Sequence, residues 1–440
     1  MMKATRFLLL VWTVCSLQLL KAQAPAGHIS MQEAVQAALT GNPAIRLSRL
    51  DEQIASSKYK QTQAFFLPRL GLSYTASTTN NPLNAFGFRL QQQGIEARDF
   101  DPSLLNHPGS TSDFSTRFEL QQPLVNMDLW YLRKSAAKQA EISQLVSGRT
   151  REYLCFETRK AYLQLRLEYD RQQVLAEADS TAAAVLQLTG HYYNQGLVQK
   201  SDLLNAGVQL KDIEGQLMET GSRIRDISDR LGLLMGRETG VVYVTDSSGD
   251  VAADTSVGPH TENNRADLKA LELGIQAYDL KIKSFHMQYL PRLNAFASWQ
   301  LNDDRMLGFG ARAYFAGVQF SLNIFNGNLI RNSITEHQFE KQKLVSALDS
   351  RKKELRAEIS STLRQINDAS FAISRQQLAV EQAAEALRVL ENRYASGLVK
   401  TTEILAAQTQ LARQKLGYAE AVFSLNLSGA YLQLLTTTKF

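Results

Sequence analysis

Four short stretches of this chain alternate apolar and polar residues with a period of two. Leu70, Leu72, Tyr74 and Ala76 alternate with Gly71, Ser73 and Thr75, and Phe114, Thr116, Phe118 and Leu120 with Ser115, Arg117, Glu119 and Gln121. Leu293, Ala295, Ala297, Trp299 and Leu301 alternate with Asn294, Phe296, Ser298 and Gln300, and Val318, Phe320 and Leu322 with Gln319, Ser321 and Asn323. This period predicts strands over about 67–79, 114–124, 290–301 and 311–324. Runs of roughly 9 to 11 residues are long enough to cross a bilayer at a tilt. One apolar and one polar face suit a transmembrane barrel wall. Taken alone, the same runs also fit two hairpins on a soluble α+β domain.

A different period governs the long segments. From Asn126 to about Tyr193 the chain can run as one helix of roughly 67 residues, about 100 Å at 1.5 Å per residue. Further on, Leu344, Leu348, Leu355, Ile359, Leu363, Ile366, Ile373, Val380, Leu387 and Leu390 recur at threes, fours and sevens. That is a coiled-coil-like seam, and Ala379, Ala383, Ala384 and Ala386 beside it permit close helix approach. Each long helix breaks at Gly196 or Gly397, and a shorter one returns with caps available from Ser201 or from Thr401 and Thr402. An opening helix starts on the capping box Ser30 to Glu33, ends near Thr40-Gly41 and restarts at Asn42-Pro43. Asn264 and Asp267 fill the cap and first-turn positions of its counterpart. Helical hairpins of this length form a tube wall or stalk rather than a compact core.

The two sets of elements belong to one duplicated unit. Phe66-Leu67-Pro68-Arg69-Leu70 recurs as Tyr289-Leu290-Pro291-Arg292-Leu293, and Tyr193-Asn194-Gln195-Gly196-Leu197-Val198 as Tyr394-Ala395-Ser396-Gly397-Leu398-Val399. The offsets, about 223 and about 201, leave roughly 22 extra residues in the first copy. They fall in the Asn-, Gly-, Pro- and Ser-rich stretch 80–113, read as a loop. The expected division is a leader over 1–22, a first repeat over 23–239, an irregular linker over 240–263 and a second repeat over 264–440.

Composition narrows the chemistry. All nine prolines lie outside the two long helical segments, as a helix-breaking cost of about 3 kcal/mol requires. Lys3 and Arg6 precede the apolar run Phe7 to Val14 and the small-residue stretch ending at Ala24, the pattern of an export signal with cleavage preferred at Ala22. Only Cys155 then remains, so no internal disulfide forms; it reads as a small buried apolar residue. Forty-eight basic against 43 acidic residues, without a basic block, give no nucleic-acid groove. No two of the six histidines have a metal-ligand spacing, and no phosphate loop or nucleophile elbow is present; Gly308-Phe309-Gly310 lacks the third glycine of a dinucleotide fingerprint. No catalytic, cofactor-binding or metal site is expected, and the chain is read as a non-enzyme. Trp130 and Trp299 fit either interface anchoring or ordinary packing.

Four strands cannot close a barrel, and open edges are not tolerated in hydrocarbon. Two chains would supply eight strands around a filled interior; three would supply twelve around a water-filled lumen. The expected architecture is therefore mainly α, with two tandem repeats and a trimeric conduit. Its order of elements, with Leu39, Asn42-Pro43, Leu67-Pro68, Leu290-Pro291 and the paired Gly-Leu-Val tips, resembles the TolC family, the outer membrane factors of Gram-negative efflux and type I secretion systems. The resemblance implies a homotrimer whose twelve-stranded β-barrel sits in outer-membrane lipid above a periplasmic α-barrel. It implies a passive exit duct opened by a periplasmic adaptor and reaching an inner-membrane pump only indirectly. Adaptor docking would fall to the tips Gly196, Leu197, Val198, Gly397, Leu398 and Val399, and the periplasmic gate to Asp202, Glu403 and Lys400. Ala406 and Asn205 stand where some members carry a second acidic ring. First-turn acids also serve plain helix capping, so Asp202 and Glu403 fit both roles. The competing class is a periplasmic adaptor or a coiled-coil protein without a pore.

Overall fold

The computed structural model describes residues 27–246 and 265–436, so the leader and most of the linker, with Asn264, lie outside the described residues. The elements run β1 (Gly27–Ile29), α1 (Met31–Gly41), α2 (Pro43–Gln61), β2 (Arg69–Thr79), α3 (Pro82–Gln91), α4 (Pro102–Asn106) and β3 (Thr111–Val125). Then come α5 (Met127–Asn194), α6 (Lys200–Leu234), β4 (Tyr243–Thr245) and α7 (Ala266–Met287), and finally β5 (Arg292–Asp303), β6 (Ala311–Ser321), α8 (Leu329–Ala395) and α9 (Thr401–Thr436). The protein is mainly α with a small β part and is built from tandem repeats. Among the described residues, no helix is long and apolar enough to cross a membrane.

The chain divides into two compact units, each drawing on both halves of the sequence. One comprises Asp51–Gln144 and Ala270–Asp349. Its centre is an antiparallel sheet in the order β2-β3-β5-β6, with β2 and β6 as open edges. Register aligns Leu72, Phe118, Trp299 and Tyr314 across all four strands on one face, and Ser73, Arg117, Gln300 and Ala313 on the other. On the apolar face Leu70, Leu72, Tyr314 and Phe320 are 75%, 66%, 86% and 66% exposed, an amount of uncovered apolar surface that water does not stabilise. Trp299 belongs to this face and stacks on Phe118 at 5.7 Å, whereas Trp130 lies on α5 under the Lys134 ammonium. Pro123, which has no N–H for the ladder, sits where β3 shifts register against β5.

The stretch 80–113 is not an irregular loop. Asn81-Pro82 and Asp101-Pro102 start α3 and α4, with the Asn81 and Asp101 side chains accepting from the N–H groups of Asn84 and Ser103. This is the same acceptor-then-proline start that opens α2. Gln92 at the end of α3 donates to Ser112 O and to the buried Asp113 carboxylate, which also accepts two bonds from Asn302. The segment is thereby fastened to both hairpins.

The other unit comprises Met1–Leu50, Leu145–Lys269 and Ser350–Phe440. Its helices pack along the expected seam: Leu355, Ile366 and Leu387 are 0%, 4% and 8% exposed. The capping box at Ser30 and Glu33 is present in full. The described start of the linker, 240–246, is not irregular throughout. β4 pairs in parallel with β1, and Tyr243 joins Ile29, Ala161, Leu165 and Leu231 in a buried cluster. Three-residue strands carry too few positions to show a period. Gly236, at φ +68°, approaches Gly41 so closely that a Cβ on either residue would overlap backbone. Glycine is required at this crossing.

Candidate functional site

The two returns between long and short helices have the same geometry. Gly196 and Gly397 adopt φ +74° and +70°, the left-handed conformation that favours glycine. Gly196 N–H donates to Tyr193 O and Leu197 N–H to Tyr192 O, both at 2.9 Å. Gly397 N–H donates to Tyr394 O at 2.9 Å and Leu398 N–H to Arg393 O at 3.0 Å. These are Schellman caps, which satisfy the last helical carbonyls and turn the chain sharply. They leave Leu197 and Leu398 each 68% exposed, with Val198 and Val399 half-buried beside them.

An aromatic and hydroxyl cluster that the sequence pattern does not reveal joins the two returns. Tyr192 and Tyr394 meet edge to face at 5.8 Å. The Tyr394 hydroxyl lies 2.7 Å from Thr189 Oγ1 and 3.0 Å from Thr401 Oγ1, while Tyr192 OH donates to Ala395 O at 3.1 Å. Val185, Ala206, Leu387, Ile404 and Leu405 pack around Tyr394. The repeat alignment pairs Tyr394 with Tyr193, but Tyr193 is exposed and the neighbouring Tyr192 packs. Helical phase, not alignment, selects the ring that turns inward. Thr401 is buried in this cluster with its hydroxyl on Tyr394, whereas Thr402 is exposed.

Asp202 lies in the first turn of α6, where its Oδ2 accepts from Gln199 N–H at 3.2 Å. Gln199, not Ser201, is the cap of that helix. Ser201 has already entered the first turn, so its hydroxyl cannot take the cap position. Glu403 occupies the matching turn of α9 and is exposed, as is Lys400. The hydrophobic contact of Ala206 with Ile404 and Leu405, and a bond from Gln209 to Thr409 at 3.0 Å, bring the two acid-bearing helix starts together.

Farther along the helices, polar links tie the first hairpin to the second. Lys415 on α9 donates to Glu177 on α5, and that hydrogen bond holds the Glu177 carboxyl below its ordinary pKa. Arg171 reaches Glu420 at 3.0 Å and Arg159 reaches Gln433 at 2.6 Å. A cavity of about 760 Å³ opens among Leu175, Ile213, Ala372, Gln376, Gln408 and Gly417. Gln408 is 8% exposed, and neither atom of its amide has a hydrogen-bond partner. In the same unit Arg265 is 1% exposed and pairs with Asp267 through bonds of 2.9 and 2.6 Å. Burial alone would raise the Asp267 pKa, but Arg265, Arg149 and Arg351 outweigh it and hold the carboxyl low.

No reacting centre is assembled from these groups. Cys155 is buried, and burial pushes its thiol pKa up, away from the reactive thiolate. Glu336, His337 and Glu340 come within 4.8 Å of one another on α8, a grouping that histidine spacing did not reveal. His337 Nδ1 is engaged with Glu340 at 2.8 Å, a hydrogen bond along one helix that lowers the Glu340 pKa.

The family model described as outer membrane efflux protein matches residues 34–237 and 259–436. The chain is 23% identical over 416 residues to the outer membrane protein TolC of Salmonella enteritidis, covering 90% of this chain and 80% of that protein. A membrane protein from Pseudomonas aeruginosa has the same fold, with a TM-score of 0.81 at 18% identity over 92% of this chain and 93% of its own. So does the CmeC outer membrane channel of Campylobacter jejuni, with a TM-score of 0.79 at 14% identity over 93% and 86%.

Proposed function

Since this chain belongs to the outer membrane efflux protein family, we propose that three copies pool their sheets into one twelve-stranded barrel in the outer membrane of a Gram-negative bacterium. The supporting observation is the four-stranded sheet itself, with its exposed apolar face and two unpaired edges. In hydrocarbon each unpaired N–H or C=O costs several kcal/mol, so β6 of one copy must meet β2 of the next. The long helical hairpins form the periplasmic α-barrel of this duct. The protein is a passive exit duct for efflux or secretion, and the energy of transport comes from an inner-membrane pump reached through an adaptor.

The paired Schellman tips fit the docking role. Leu197, Val198, Leu398 and Val399 offer an adaptor two matching apolar knobs on rigid turns. Asp202 and Glu403, on helix starts joined through Ala206 and Ile404, would line the constriction with Lys400 nearby. Asp202 also caps α6, so the gate role adds to a capping role already filled. Reconstitution of the purified chain in a planar bilayer tests this reading: a stepwise ionic current supports it, and a folded, inserted but silent oligomer overturns it.

A further inference from the structure

The polar face of the sheet is interrupted by an aromatic pair. Phe296 on β5 and Phe315 on β6 share that face with Arg117, Glu119 and Gln300, because register sets Phe296 opposite Gly317 and Phe315 opposite Ser298. Their rings lie 5.4 Å apart, tilted by 43°. Gly317 makes the arrangement possible, since a Cβ there would stand 2.9 Å from Phe296 Cζ. With glycine in place the Phe296 ring reaches across β6 towards Phe315, which is 68% exposed. The apolar face of the same sheet carries the lipid-compatible residues, so these two rings have no bilayer to meet.

The groups around the pair give the site its chemical character. A groove of about 510 Å³ is lined by Phe296, Phe315, Arg69, Arg117, Glu119 and Gln319. Arg117 donates to Gln300 Oε1 at 2.8 and 3.2 Å and lies 3.5 Å from Glu119 Oε1, which holds the guanidinium in the groove that the rings also line. Two arginines face one glutamate, a net positive charge next to an aromatic platform. Rings offer stacking to a planar ligand, and guanidinium groups offer bidentate bonds to a carboxylate or sulfonate.

We propose that Phe296, Phe315, Arg69 and Arg117 form a weak subsite on the barrel wall for planar aromatic anions, repeated once per protomer. The proposal rests on the barrel reading above, in which the apolar face meets lipid and this polar face therefore lines the lumen. The subsite is shallow, so transit is slowed rather than stopped.

The test is current block of the reconstituted channel by three probes: 2-naphthoate, its neutral counterpart 2-naphthylmethanol, and the aliphatic anion octanoate. Each is read against the open current of the same protein. In the unmodified channel 2-naphthoate should block at a concentration about tenfold below either of the others, the size expected from one or two ring contacts plus a charge-assisted bond. The double change Phe296→Leu with Phe315→Leu should erase the preference for 2-naphthoate over octanoate, and Arg117→Gln should shrink the preference over the alcohol. Equal potency of the three probes on the unmodified channel overturns the subsite, and that comparison decides even where a variant fails to fold. Unchanged discrimination in the variants overturns it too. Absence of any current from a folded oligomer overturns the channel reading and the subsite with it, whereas current without discrimination overturns the subsite alone.

Discussion

Replacing the two tip glycines separates backbone strain from docking. At Gly196 and Gly397 an added Cβ would meet nothing within 4 Å, so any substitution acts through the positive φ alone. Alanine in that conformation costs about 1–2 kcal/mol. Asparagine costs less, because it tolerates left-handed backbone, and valine costs more, because its branched side chain does not. Relieving the strain means abandoning the bonds from the glycine and leucine N–H groups, which would displace Leu197 and Leu398 from their matched positions. The strand register and the seam residues Leu355 and Ile366 lie far along the chain from either tip. The double change Gly196→Val with Gly397→Val should therefore reduce dye efflux strongly while the amount of oligomer in the outer membrane stays near normal. The double asparagine variant should retain most of the efflux. The assay uses cells lacking their own outer-membrane channel and reads dye loss and inserted protein together. Unimpaired efflux by the valine variant would refute the docking assignment, and loss of inserted protein would refute the claim that the strain is local.

Two further perturbations probe the helical unit. Asp267→Asn leaves Arg265, 1% exposed, without its countercharge, so stability should fall by about 3–5 kcal/mol, read as the urea midpoint of the purified protein. Because the folded Asp267 pKa is depressed, its contribution is present above the unfolded carboxyl pKa and lost as pH falls through the folded value. The acid limb of the stability profile should be flatter in the variant, and identical limbs would contradict this. Gln408→Leu removes two buried amide atoms that lack partners, each a desolvation cost of about 1–3 kcal/mol, so the midpoint should hold or rise. A clear fall would show that water in the cavity satisfies the amide.

Long-period signals carried most of the fold into the sequence. The α8 seam was visible because ten apolar positions over about six heptads reinforce one phase, and Leu355, Ile366 and Leu387 are buried accordingly. The strands were visible because apolar residues dominate one face over their middle, with Leu72, Phe118, Trp299 and Tyr314 in one row. Short elements escaped. β1 and β4 have three residues each, and α3 and α4 lay inside a stretch whose Gly and Ser content masked two acceptor-proline starts. At the tips, the glycines were visible from their repetition, but Tyr192, Thr189 and the Tyr394 hydroxyl were not, since their contact depends on helical phase across two hairpins. By alternation Phe296 falls on the polar face of its strand. Its partner Phe315 becomes evident only once register places Gly317 beneath the Phe296 ring.

The account depends on copies of this chain joining β6 to β2 around a common lumen. The mass of the detergent-extracted assembly, measured on the same preparation that is tested for current, addresses this most directly. Three chains per particle, with release from the outer membrane requiring detergent, is the predicted result. A single chain that stays in solution after detergent is removed would contradict it.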